Sequence, residues 1–198
     1  MKIILIRHFL TPGNLLGRYI GVTDEDIIPC DKGNLSNLYP DVNRIYVSPM
    51  RRCIQTAEYI YPNSPLHIKE GFRECDFGQF ENKNYHELND NTNYQEWINS
   101  MGKMRFPEGE DPETFKQRCQ ETFCECVMEC RKEGVTSVAM IVHGGTIMSI
   151  MEAFDEEEKS YYDYQVKNGN GYVVEFAEEE LRSANRKFHC LSKLVKEC

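Results

Sequence analysis

The sequence predicts a single α/β domain organised on a buried parallel sheet, and three observations carry that expectation. Lys2-Ile3-Ile4-Leu5-Ile6 is an apolar run that stops abruptly at Arg7-His8, the pattern of a strand buried on both faces. Ser137-Val138-Ala139-Met140-Ile141-Val142 is a second such run, and it stops at His143-Gly144-Gly145-Thr146 before a helical pattern begins at Ile147. Between them the short strand Arg44-Ile45-Tyr46-Val47 runs straight into a helix-like segment over residues 48–58. A chain of 198 residues holds one such domain, taken as 1–198, with a full core and at most a small subdomain.

Composition narrows the function classes. The formal net charge of −9 and the lack of any Lys/Arg-rich run argue against a nucleic-acid partner, so a phosphate site has to be a local positive pocket in an acidic protein. No apolar run is long enough to span a bilayer, and residues 1–6 are too short and too quickly charged for a secretory signal. The expectation is a cytoplasmic protein without a membrane partner. Nine cysteines are an odd number in a large chain, which favours free thiols over a disulfide scaffold. Cys119, Cys124, Cys126 and Cys130 cluster, but Phe115, Cys119, Phe123, Cys126, Val127 and Cys130 recur at helical steps of three and four while Cys124 points away. Four ligands from opposite faces of one helix cannot converge on a tetrahedral ion, so no metal site is expected.

Taken in order, the first strand opens into Thr11-Pro12-Gly13-Asn14, a turn former. Gly17-Arg18-Tyr19-Ile20-Gly21-Val22-Thr23-Asp24 reads either as the rim of a site, where glycines admit close backbone approach, or as an ordinary surface connection. Asp31 suits the cap of a short helix reaching about Leu38. Ser48-Pro49 suits the start of the next helix, with Ser48 capping and Pro49 in the first turn. Arg51 and Arg52 then oppose the helix dipole and call for a compensating anion, which a bound phosphate supplies; position alone does not choose between them.

After an extended stretch at Leu66-His67-Ile68, Phe72-Arg73-Glu74-Cys75-Asp76-Phe77-Gly78-Gln79-Phe80-Glu81 alternates carboxylates with aromatics. An acid beside apolar rings has its pKa raised by desolvation, as a general acid near neutral pH requires; the plainer alternative is a loop of solvated acids, of which Glu81 is the example. Residues 82–110, rich in Asn, Tyr and Glu around Trp97, look more like a lid than core. Asp111-Pro112 caps and opens the cysteine-bearing helix. The glycines after His143 allow a tight strand-to-helix turn whose amides form an anion site. Asn168-Gly169-Asn170-Gly171 is a turn into a strand over 172–176, with a last short strand or tail near Phe188.

In an open α/β sheet ligands bind at the carboxyl ends of the strands. Two strands ending in histidine, with an arginine-bearing strand end between them, therefore indicate an anionic substrate. Leu5-Ile6-Arg7-His8 with Thr11 and Asn14, Ser48-Pro49-Met50 with Arg52 and Gln55-Thr56-Ala57, Arg73-Glu74 with Phe77-Gly78, and Val142-His143-Gly144-Gly145-Thr146 together resemble the histidine phosphatase, or phosphoglycerate mutase-like, superfamily. The resemblance implies a three-layer sandwich: a mixed, mostly parallel sheet with helices on both faces and a helical lid insertion at approximately 80–110. It implies that His8 is the nucleophile, that Arg7, Arg52 and His143 hold the phosphoryl oxygens, and that Glu74 is the acid. Asn14, Thr11, Tyr19, Gly21 and Gly144 follow as substrate-binding positions, with no cofactor and no metal.

The family usually has glycine where this chain has Phe9, so either the loop differs or Phe9 lines the substrate entrance. The implied partner is a small phosphorylated metabolite, and a homodimer is admitted without being required. The short chain favours a phosphatase over a glycolytic mutase. Residues 18–24 and 73–78 look most like α-ribazole phosphatases, which act in cobalamin assembly. A broad sugar-phosphate or phosphoglycerate phosphatase, or a non-catalytic phosphate-binding signalling module, are the alternatives.

Overall fold

The structure, a computed structural model, describes residues 1–29, 38–177 and 187–195. The chain runs β1 (Lys2–Arg7), α1 (Pro12–Leu15), β2 (Arg44–Val47), α2 (Arg51–Ile60), β3 (Leu66–Ile68), α3 (Tyr85–Leu88), α4 (Thr92–Asn99), α5 (Pro112–Lys132), β4 (Ser137–Val142), α6 (Gly144–Phe154), β5 (Gly171–Glu175) and β6 (His189–Leu194). These strands form one sheet in the order β3-β2-β4-β1-β5-β6. β1, β2, β3 and β4 are mutually parallel, and β5 and β6 add antiparallel strands beyond β1.

The central strand shows why its run is continuously apolar. Ile3 and Leu5 pack with α5 and α6 residues such as Phe123 and Ile147, while Ile4 and Ile6 face the other way onto Cys53, Ala57 and Ile60 of α2. Strand side chains alternate faces, so a sheet covered on both sides needs apolar residues at every position. Each such isoleucine, fully buried, contributes roughly 1.5–3 kcal/mol relative to exposure.

Several local expectations are corrected. Thr11-Pro12-Gly13-Asn14 is no simple turn but the start of α1, where the Thr11 side chain accepts from the Asn14 N–H and Pro12 occupies the first turn. Ser48 does not cap α2; that helix begins after Met50 without a side-chain cap from its own start, and Pro49 stays outside it. The compensating anion comes from the chain itself: Asp24 accepts the Arg51 N–H at 2.8 Å and Asp26 pairs with the Arg51 guanidinium at 2.7 Å. The helix expected from Asp31 lies mainly outside the described residues. Asp111 does cap α5, accepting from Glu113 and Thr114, with Pro112 at its start.

The segment read as a lid is helical, but α3 and α4 carry their own core. Phe80, Leu88, Tyr94 and Phe106 are buried together with Phe115 and Cys119 of α5, and Tyr19, Phe77 and Trp97 pack against them. Its aromatics interlock mostly edge to face, as between Phe80 and Tyr94 at 5.3 Å. On α5, Cys119, Cys126 and Cys130 are buried, as the stripe predicts, and Cys124 is only partly so. Among the described residues no helix is long and apolar enough to cross a membrane.

Candidate active site

Parallel pairing of β1 with β4 places Arg7 opposite Val142, so the residues that follow, His8 and His143, emerge side by side with ring centroids 5.3 Å apart. The loop before β5 locks that strand end. Asn170 C=O accepts the Arg7 N–H at 2.9 Å, Gly169 N–H donates to Arg7 C=O at 3.0 Å, and Val166 C=O accepts Arg7 Nη1 at 2.8 Å. Asn168 Nδ2 donates to His8 C=O at 3.0 Å and to Asn14 Oδ1 at 2.9 Å, which leaves the Asn14 amide nitrogen free to donate.

Electrostatics then assign the protons. A carbonyl can only accept, so the 2.7 Å contact between His8 Nδ1 and Phe9 C=O puts the ring proton on Nδ1 and a lone pair on Nε2. Burial, with the Arg52 and Arg7 charges, holds the His8 pKa well below 6.5, so the ring stays neutral. Arg7 carries a buried Nε–H without an acceptor, and its pKa is lowered by burial. Arg52 is fully buried and donates through Nη1 to Thr23 C=O at 2.7 Å, Nη2 to Gly21 C=O at 2.9 Å and Nε to His143 Nδ1 at 3.3 Å. His143 therefore keeps its proton on Nε2, donated to Ser48 Oγ at 2.8 Å, and burial and the Arg52 charge depress its pKa too. The Ser48 hydroxyl thus serves the imidazole, and its oxygen also accepts the Met50 N–H at 3.4 Å just before α2.

Glu74 is the one acid in this group. Its Oε1 accepts the Cys75 N–H at 3.0 Å and its Oε2 the Gly145 N–H at 3.3 Å, yet burial outweighs these bonds and the arginine charges and raises its pKa above 4.5. Gly145 is required by contact: a Cβ there would stand 2.6 Å from Glu74 Oε1 and 3.0 Å from the Phe115 ring. Arg7, His8, Asn14, Glu74, Gly144 and Gly145 line a cleft of about 1880 Å³ whose wall includes Tyr19, Phe77 and Phe106. Arg52 and His143 lie fully buried behind these residues. Among the described residues no group of three or more His, Cys, Asp or Glu side chains is arranged to hold a metal ion.

The sequence profile of the histidine phosphatase superfamily (branch 1) matches residues 3–187. The chain belongs to this superfamily. The chain is similar to a broad-specificity phosphatase of Saccharomyces cerevisiae, 23% identical over 192 residues that cover 90% of this chain and 81% of the relative. The crystal structure of an α-ribazole phosphatase from Shigella flexneri superimposes with a TM-score of 0.79 at 21% identity, covering 98% and 96% of the two chains. That of a phosphoserine phosphatase from Entamoeba histolytica in complex with phosphoserine does so at 0.77 and 24%, covering 97% and 95%. These likenesses establish the histidine phosphatase fold.

On that fold, His8, Arg7, Arg52, His143 and Glu74 come together from four distant segments, and Asn14, Tyr19 and Gly144 join the cleft lining. Thr11 and Gly21 are absent from that lining: Thr11 is fully buried as the α1 cap, and Gly21 supports Arg52 from behind. Arg51 is separated from Arg52 by exposure, its side chain being 57% accessible and paired with Asp26. Phe9 lines the cleft, as one of the two expectations had it; it has no positive φ and is 4% exposed, its N–H donates to Thr56 Oγ1 at 2.8 Å and its ring packs on Tyr39 and Tyr59, so the loop accepts phenylalanine without strain.

Glu81 is not the solvated acid expected. Its Oε1 accepts the Gly21 and Thr23 N–H groups at 2.8 and 2.9 Å, because the chain folds back to lay residues 18–19 along 81–84. Asn168 was legible only as part of a turn, since its partners, His8 and Asn14, lie some 155–160 positions away in sequence.

Proposed function

We propose that this phosphatase hydrolyses phosphomonoesters through a phosphohistidine on His8. One observation carries the reading: His8 Nδ1–H is committed to Phe9 C=O, so the neutral ring presents a nucleophilic Nε2 beside Arg7, whose buried Nε–H lacks an acceptor. In the first step Nε2 forms a bond to phosphorus as the ester P–O bond breaks, and Glu74 gives its proton to the leaving oxygen. Arg7 and Arg52 hold the equatorial oxygens, with Asn14 Nδ2 and the Gly144 N–H as further donors, and they stabilise charge developing in the transition state. His143 joins them by changing tautomer: Ser48 Oγ–H donates to Nε2, which a hydroxyl permits because it donates as well as accepts, and the new Nδ1–H no longer accepts the Arg52 Nε–H, so both N–H groups turn to the phosphoryl oxygens. In the second step water attacks phosphorus, its proton passes to Glu74, and the N–P electron pair returns to His8.

The leaving group is read from the cleft wall. Tyr19, Phe77 and Phe106 offer aromatic surface for a nucleoside-like group, and with the fold shared by an α-ribazole phosphatase this makes α-ribazole 5′-phosphate the first substrate to test. A specific observation favours a second reading, a broader phosphatase for carboxylated esters such as phosphoserine or phosphoglycerate. Lys103 and Lys167 line the same cleft, and among the described residues neither takes part in an ion pair. The non-catalytic alternative needs Phe9 to obstruct turnover; Phe9 lines the cleft, but its ring is 4% exposed and packs on Tyr39 and Tyr59, which counts against that reading. Comparing kcat/KM for α-ribazole 5′-phosphate, phosphoserine, 3-phosphoglycerate and p-nitrophenyl phosphate decides. A preference of more than tenfold for the first supports the aromatic reading, whereas turnover of none of the four contradicts the activity itself.

A further inference from the structure

We propose that Glu81 is a positioning residue for Arg52, acting through the loop at residues 20–23. Two residues of that loop are gripped from both sides. Gly21 N–H donates to Glu81 Oε1 at 2.8 Å while Gly21 C=O accepts from Arg52 Nη2 at 2.9 Å; Thr23 N–H donates to the same Glu81 oxygen at 2.9 Å while Thr23 C=O accepts from Arg52 Nη1 at 2.7 Å. The carboxylate and the guanidinium never touch, yet each fixes the peptide groups that bind the other. Hydrogen bonds to an ionised acceptor are about twice as strong as neutral ones, which suits a carboxylate to this task.

The remaining geometry agrees. A guanidinium has five N–H donors; contacts to Thr23, Gly21 and His143 engage one on each nitrogen, and Ile20 C=O lies a further 3.5 Å from Nη2, so the second Nη1–H is the donor left for an anion. The loop carbonyls therefore set the direction in which that donor points. The loop packs closely on the chain beside Glu74: a Cβ on Gly21 would stand 1.9 Å from Cys75 C=O, so only glycine fits there. Glu81 Oε2 is buried without a partner, an unfavourable arrangement that the two bonds to Oε1 offset. Glu81 does not line the cleft, so any effect on turnover has to pass through another residue.

The inference rests on the reading of Arg52 as a phosphate clamp, and a double-mutant cycle separates the two. kcat/KM for p-nitrophenyl phosphate and the inhibition constant of inorganic phosphate are measured on the full chain for wild type, Glu81→Ala, Glu81→Gln, Arg52→Ala and the Glu81→Ala/Arg52→Ala pair. Arg52→Ala should lower kcat/KM by roughly 10²- to 10³-fold. Glu81→Ala should lower it by roughly ten- to a hundredfold, and in the Arg52→Ala background by less than about threefold, because the coupling is then gone. Glu81→Gln, whose amide oxygen still accepts both N–H groups, should stay within about threefold of wild type, whereas a requirement for charge alone would make it as poor as alanine. If Glu81→Ala does not fold, Glu81→Asp, which withdraws the oxygen by one methylene, takes its place in the cycle with the same expectation. Wild-type activity in Arg52→Ala refutes the clamp itself. An impaired Arg52→Ala together with a Glu81 loss that is absent, or that multiplies undiminished into the double variant, overturns the positioning role.

Discussion

At the scale of the residue, two buried groups of opposite shift set the pH behaviour. The neutral His8 ring must be unprotonated to attack, and its pKa lies well below 6.5, so the acid limb of the kcat/KM profile falls below that pH. Glu74 must be protonated to donate, and its pKa lies above 4.5, so activity declines on the alkaline side as it ionises. The expected profile is a bell whose alkaline limb disappears in Glu74→Gln; an unchanged alkaline limb would take the acid role away from Glu74. With an alkyl phosphate the same substitution should slow phosphoryl transfer by roughly 10²- to 10⁴-fold, and with p-nitrophenyl phosphate far less, since that leaving group needs no proton. Equal losses in single-turnover kinetics would make Glu74 a structural carboxylate. The depressed histidines also bear on stability. The unfolded chain takes up protons near pH 6.5 while the folded one resists, so unfolding free energy should fall as pH drops below that value.

At the scale of the element, the loop before β5 ties the end of β1 to α1. Asn168 makes that link, holding His8 C=O and Asn14 Oδ1 together. Asn168→Ala should lower kcat by about tenfold, with little change in melting temperature because the residue is only partly buried. A wild-type kcat would mean that β1 and α1 hold Asn14 unaided. Asp111→Ala supplies the contrast: loss of the α5 cap should cost about 1 kcal/mol of stability, read by denaturant unfolding, with kcat unmoved.

These cases also show where the sequence was legible. The strands and the α5 cap follow from nearest-neighbour patterns, apolar runs bounded by turn residues, and Arg7, His8 and His143 stand at the ends of such runs. Which arginine enters the site, what Ser48 bonds to and which N–H groups Glu81 accepts all depend on chain segments folded against each other from afar. Local propensity misplaced Ser48 because the His143 ring, 95 positions on, takes its hydroxyl.

At the scale of the molecule, an acidic chain concentrates Arg7 and Arg52 at one cleft, Arg7 in its lining and Arg52 fully buried. Low local dielectric strengthens such a clamp, and arginine supplies the charge that a divalent ion provides elsewhere. Turnover should therefore survive EDTA; an enzyme silenced by EDTA and restored by magnesium or zinc would contradict the arginine clamp. The layers were foreseeable, because a doubly buried strand needs cover on both faces. The aromatic core of residues 80–106 was not, since its partners Tyr19 and Phe115 come from opposite sides of it in sequence.

The central claim is that phosphorus is bonded to His8 midway through turnover, and rapid quenching tests it directly. Wild-type protein mixed with excess phosphomonoester, quenched in alkaline denaturant within the first turnover and analysed by intact and peptide mass spectrometry, should carry one phosphoryl group. That group should be stable in alkali, lost in acid, located on the peptide holding His8 and absent from His8→Ala, which should also have lost turnover. A phosphoryl group on another residue, or full phosphatase activity in His8→Ala, would contradict the account.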